Sequence, residues 1–172
     1  MTTPRAYLEQ VIRVDHAGEY GAKRIYQGQL AVLKGTKYEP MIRHMQEQEE
    51  VHLKRFSGLI GERRVRPTAL LPIWHVAAFA LGAATAAMGH RAAMACTVAV
   101  EEAIDEHYSA QEAALGDDEA PLRADIARFR AEELEHRDTG LANEAELTPG
   151  YRLLSAAIKA GCKLAIKVSE RV

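Results

Sequence analysis

The sequence predicts an all-α protein, and three observations carry that prediction. Apolar residues recur at helical spacing through nearly the whole chain, few alternating β-branched runs compete with them, and the breaks are short and rich in glycine and proline. The breaks fall at Gly35 to Tyr38, Arg66-Pro67, Gly89, Gly116 to Asp118 and Thr148-Pro149-Gly150. They divide the chain into six helices, spanning residues 4–33, 39–64, 69–88, 90–115, 120–146 and 151–170.

The first helix carries the stripe Ile12, Asp15, Glu19, Ala22, Tyr26, which sets a lone glutamate on an apolar face. The second carries Ile42, Met45, Glu49, His52, Phe56, Leu59, while Glu47, Glu50 and Lys54 fall on its polar side. The third, "ALLPIWHVAAFALGAATAAMG", is apolar apart from His75 and a threonine. Its length suggests a bilayer span, but one crossing would strand Glu19, Glu49 and His52 on the other side from Glu101, Glu133 and His136. A helix lying in a membrane surface is expected instead, with a buried bundle helix as the alternative. The fourth helix repeats the pattern of the first, placing Glu101 among Met94, Val98, Ile104 and Tyr108, and the fifth sets Glu133 and His136 in line with Ile126 and Phe129. The sixth steps Lys159, Lys163, Lys167 and Arg171 along one side, opposite Leu154, Ile158, Ala165 and Val168. A basic amphipathic helix suits an anionic membrane surface, although such a stripe also serves as a plain solvated face. Arg63, Arg64, Arg66 and Arg91 add positive charge on both flanks of the third helix.

A single Glu-x-x-His pair is a common accident of a charged helix, but here the pattern occurs twice. Each hairpin supplies a glutamate and then Glu-x-x-His, with spacings of 30 residues from Glu19 to Glu49 and 32 from Glu101 to Glu133. Tyr26 and Tyr108 each follow the first glutamate of their hairpin by seven residues. Four glutamates and two histidines, one-plus-two from each hairpin, are the donors of a carboxylate-bridged dinuclear metal site in a helix bundle. Imidazole with carboxylate suits iron. Four buried carboxylates without a cation would be forced to take up protons. Glu102 and Glu132, one position off, are rival carboxylates that helical phase places less well. One long crossover between two hairpins is the ferritin-like connection, so the expected architecture is a ferritin-like four-helix bundle with an apolar crossover helix and a C-terminal amphipathic helix.

The bulk properties fit one domain over residues 1–172: 48% hydrophobic and 27% charged residues describe a globular chain. A net charge of −2 gives no reason to expect nucleic acid. Cys96 and Cys162 have no metal-ligand spacing and read as buried free thiols of a reducing compartment. "MTTPRAYLEQ" has no targeting pattern, which fits a bacterial protein or a mature form.

The motifs "RVDHAGEYGA", "PIWHVAAFALGAATA", "MACTVAVEEAIDEHY", "FRAEELEHRDTGL" and "AGCKLAIKVSERV" together resemble the demethoxyubiquinone hydroxylases of ubiquinone biosynthesis, from Arg13 to the end of the chain. The resemblance implies a di-iron monooxygenase that hydroxylates the ring of a prenylated benzoquinone with dioxygen. Its ligands map onto Glu19, Glu49, His52, Glu101, Glu133 and His136, the six residues that spacing selects. It implies a peripheral position on the cytoplasmic face of a bacterial membrane, or on the matrix face of the mitochondrial inner membrane. NADH is the implied electron source, yet the sequence contains no reductase domain or glycine-rich nucleotide motif. A partner protein of ubiquinone biosynthesis and a homo-oligomer are further expectations. The family commonly has Asn at the position of His75, which bears on ring or tail preference.

In this reading Tyr26 and Tyr108 are candidates to orient the ring or relay an electron, against a simple core role, and His107 is a candidate to hydrogen-bond near the site. Asp15 and Asp105 are candidate acceptors for the ligand imidazoles. Competing functions are a ferritin-like oxidase or peroxidase, which uses the same six donors, and a non-catalytic quinone-binding protein. The expected entry route for substrate runs past the third and sixth helices to the face of the metal site away from the histidines.

Overall fold

A computed structural model describes residues 2–172. Among them are six α-helices and no strand: α1 (Arg5–Leu33), α2 (Glu39–Glu62), α3 (Leu71–Ala87), α4 (His90–Ala114), α5 (Ala120–Ala142) and α6 (Tyr151–Ser169). The architecture is the all-α ferritin-like bundle expected from the sequence. The fifth helix stops earlier than its periodicity suggests. Glu144 adopts a left-handed conformation at φ 64°, and the chain continues as a single 3-10 turn, Ala145–Leu147.

α1 pairs with α2 and α4 with α5, giving the two predicted hairpins; α3 lies against α1 and α4, and α6 against α4 and α1. The two outer helices therefore cover the α1/α4 side of the bundle, and α2 and α5 form the other side. Every member of the predicted α2 stripe is buried, and no other α2 residue is.

Two apolar layers close the ends of the bundle. Ile12, Phe56, Ile126 and Phe129 belong to one; Leu30, Ile42, Met45, Met94 and Val98 belong to the other. Helical register puts Glu19, Glu49, Glu101 and Glu133 between these layers, so the polar residues lie in a slice of the core with a dry lid on each side.

The α1–α3 seam is a near backbone contact. A Cβ at Gly82 would lie 2.0 Å from the Ile25 carbonyl oxygen, and one at Gly28 would lie 2.2 Å from that of Phe79. Both obstacles are helix backbone, so a methyl group can be accommodated only by separating the helices. Gly82→Ala is expected to lower stability by about 1–3 kcal/mol through overpacking, despite the better helix propensity of alanine. Gly161→Ala, which meets nothing within 4 Å, is the control and should not destabilise. Thermal unfolding of both variants checks this; equal melting temperatures would show that the seam relaxes freely.

Candidate metal centre

Glu19, Glu49, His52, Glu101, Glu133 and His136 converge in the central slice, none more than 2% exposed. They form two overlapping groups. Glu19, Glu49, His52 and Glu133 offer ligand atoms within 4.8 Å of one another, and so do Glu49, Glu101, Glu133 and His136. Glu49 and Glu133 belong to both groups, as the two Glu-x-x-His helices require.

The histidines present Nδ1 to the interior. His52 Nδ1 lies 3.0 Å from Glu133 Oε1 and 3.4 Å from Glu19 Oε2. His136 Nδ1 lies 3.1 Å from Glu133 Oε2 and 3.3 Å from Glu49 Oε1. Their outer nitrogens are also held: His52 Nε2 donates to Glu132 Oε2 at 2.8 Å, and His136 Nε2 to Gln48 Oε1 at 3.0 Å.

These outer partners differ from those expected. Asp15 instead accepts from Gln111, and Asp105 accepts from Arg130. Spacing offers Glu132 only as a rival ligand and does not single out Gln48; the one sequence signal for both is that each immediately precedes the glutamate of its Glu-x-x-His motif. Glu102 points away from the core and pairs with Lys159.

The tyrosines cross between hairpins. Tyr26 donates to Glu101 at 2.6 Å, and Tyr108 donates to Glu19. Each phenol thus fixes the lone glutamate of the opposite hairpin, a reciprocity in keeping with the shared seven-residue spacing and set by how the hairpins face each other. His107 is not in either group. The Gln111 amide donates to it at 2.8 Å, and it lines a cavity of ≈ 130 Å³ with Tyr7, Val11 and Glu170. His75 meets the Tyr20 hydroxyl at 2.6 Å.

Both oxygens of Glu49, one of Glu19 and one of Glu101 are buried without a hydrogen-bond partner. Such oxygens are costly in a dry interior unless a proton or cation meets them, and with two imidazoles the donor set fits two ions of the iron type. The ionisation of the side chains agrees. Burial, reinforced by the charge of Glu133, pushes Glu101 up to about 8, and burial with the same neighbour drives Glu49 well above the usual range. Burial opposes charge on His52, but the hydrogen bond to Glu133 and the negative charges of Glu133 and Glu19 outweigh it and push the imidazole up to about 12. Glu133 shows the converse: burial is overcome by His136 and His52, which hold it at about 2.

The upward shifts of Glu49, Glu101 and both imidazoles favour bound protons, which incoming metal displaces. Metal affinity should therefore fall as pH is lowered from above about 8, where Glu101 is already ionised. A pH-stat titration with Co²⁺ should record proton release at pH 7. Uptake of metal without proton release would contradict this ionisation.

The family model described as "Ubiquinone biosynthesis protein COQ7" matches residues 6–169. The 3-demethoxyubiquinol 3-hydroxylase of Rhodospirillum rubrum is 61% identical over 171 residues, covering 99% of this chain and 81% of that protein. The mitochondrial NADPH-dependent 3-demethoxyubiquinone 3-hydroxylase of Rattus norvegicus is 56% identical over 171 residues, covering 97% of this chain and 79% of that protein. The mitochondrial 5-demethoxyubiquinone hydroxylase of Saccharomyces cerevisiae is 40% identical over 184 residues, again covering 97% and 79%.

Proposed function

The chain belongs to the family of the ubiquinone biosynthesis protein COQ7, and from that premise we propose that it is a di-iron monooxygenase hydroxylating the ring of a demethoxyubiquinone at a membrane surface. The observation that carries the metal assignment is the pair of buried four-residue groups sharing Glu49 and Glu133. Glu19, Glu49, His52 and Glu133 would hold one iron; Glu49, Glu101, Glu133 and His136 would hold the other. Bound there, the irons would supply activation of dioxygen, with one oxygen atom entering a ring C–H bond and the other leaving as water with two protons and two electrons from an external reductant.

The protein's own contribution is positioning and exclusion of water. Tyr26 and Tyr108 hold Glu101 and Glu19 against the apolar layers, and those layers protect a reactive centre from side reactions. A reduced nicotinamide is the electron source in this reading. The resemblance read from the motifs implies NADH, and the name of the rat relative specifies NADPH.

The outer helices support action at a membrane surface. α3 turns Ile73 and Val76 outward at 56% and 66% exposure, with Met88 just past its end at 65%, and α6 does the same with Leu153 at 78% and Leu164 at 63%. Among the described residues no helix is long and apolar enough to cross a membrane. The basic stripe of α6 contributes less than its spacing suggests: Lys159 pairs with Glu102, and Lys163 lies 2.6 Å from Glu106. These lysines fasten α6 to α4, while the neighbouring apolar residues face outward. Arg63 and Arg91 are similarly engaged, with Glu119 and Glu144.

α3 and α6 both lie on the α1/α4 side, and the histidines come from α2 and α5. The quinone ring would enter between Glu19 and Glu101 while its prenyl tail stays in lipid. A turnover with ¹⁸O₂, iron-loaded full-length protein, a reduced nicotinamide with a redox mediator as electron source, and demethoxyubiquinone in liposomes tests the proposal. One labelled oxygen per product ring is expected; peroxide consumption without quinone hydroxylation would favour the oxidase reading and overturn this one.

A further inference from the structure

The two halves of the centre match in every donor and differ in what holds the outer nitrogen of the histidine. Gln48 and Glu132 occupy equivalent positions, each one residue before the glutamate of its motif, and each reaches the histidine of the other hairpin. The half containing Glu19 and His52 is backed by a carboxylate, and the half containing Glu101 and His136 by a neutral amide. Among the described residues Glu132 forms no ion pair with lysine or arginine, so its charge is directed at His52.

A carboxylate accepts a stronger, charge-assisted hydrogen bond than an amide. It also makes the imidazole a more electron-rich ligand. We infer that the two metal positions are inequivalent, with Glu132 acting through His52 to make the Glu19/His52 half the tighter one, filled first and emptied last. The Glu101/His136 half, backed by Gln48, holds its ion more loosely. Glu132 and Gln48 are positioning residues in this scheme, since neither touches the metal.

This inference rests on the metal-centre reading, and the following titration separates the two. Full-length protein stripped by chelator is titrated with Co²⁺, following d–d absorption and the shifted, exchangeable Nε2–H proton resonances of the two histidines. Two binding steps are expected, separated by about tenfold or more. The His52 resonance should appear in the first and the His136 resonance in the second. Glu132→Gln keeps an acceptor in place and removes only the charge; it should weaken the first step by about 10–100-fold and bring the two together. Gln48→Glu should tighten the second step in the otherwise unchanged chain, a gain that damage to the fold would not produce. Two equal steps in the wild type, or step constants unchanged in both variants, would overturn the inequivalence while leaving a dinuclear centre. Fewer than two ions per chain would overturn the centre itself.

Discussion

Glu133→Ala is expected to lose both metal ions together and to reduce hydroxylation by more than about 100-fold. Replacing a partner that merely orients a metal ligand typically costs about 10–100-fold, and Glu133 contributes to both groups directly. It is also the anion between the two imidazoles, 3.0 Å from His52 and 3.1 Å from His136. Without it the histidines lose the charge that holds them in place, so residual binding in one half is not expected. Glu49→Ala should behave similarly, because Glu49 is the other shared donor. The helical content should persist, since Phe56, Phe129, Ile42 and Met45 close the apolar layers without help from the carboxylates.

The controls follow from the same helices. Glu50 is exposed and lies 3.2 Å from Lys23, and Glu102 pairs with Lys159. Surface pairs of this kind contribute about 0–1 kcal/mol and neither glutamate belongs to the metal-binding groups, so Glu50→Ala and Glu102→Ala should retain metal and activity. Iron content per chain, circular dichroism and quinone turnover distinguish these cases. Normal turnover by Glu133→Ala would refute the ligand assignment.

Val76→Asp is expected to weaken liposome binding by about tenfold or more, and to slow turnover of a long-tailed quinone far more than that of a short-tailed, water-soluble analogue. A charge on a lipid-contacting face opposes insertion by a few kcal/mol, and about 1.4 kcal/mol is already tenfold. The apolar run of the third helix also offers Phe79 and Leu81 for this test, but the fold shows them to be poor choices. The Arg24 guanidinium lies 4.8 Å from the Phe79 ring, and Leu81 packs against the cluster containing Ile25 and Val100. Charge there would disturb packing as well as membrane contact. Val76, at 66% exposure, reports on the surface alone. If both substrates slowed equally with liposome binding unchanged, α3 would be an ordinary bundle helix.

By itself the sequence determined the helices, the two-hairpin order and the six residues that meet in the core. Its apolar stripes have a 3.6-residue period that a helix must bury. A glutamate or histidine in phase with such a stripe is carried inward with it, which is why Glu101 and Glu133 could be told from Glu102 and Glu132. Only the tertiary structure decided which side chains meet across helices. The crossing of Tyr26 to Glu101 and Tyr108 to Glu19, and of Gln48 to His136 and Glu132 to His52, depends on how the hairpins face each other. The α1–α3 contact at Gly28 and Gly82 depends on backbone distance, which a pattern of residue types does not encode. The lysines of α6 carry the same lesson: their four-residue step defines a stripe, and whether that stripe meets lipid, water or the glutamates of α4 is set by the rotation at which α6 docks.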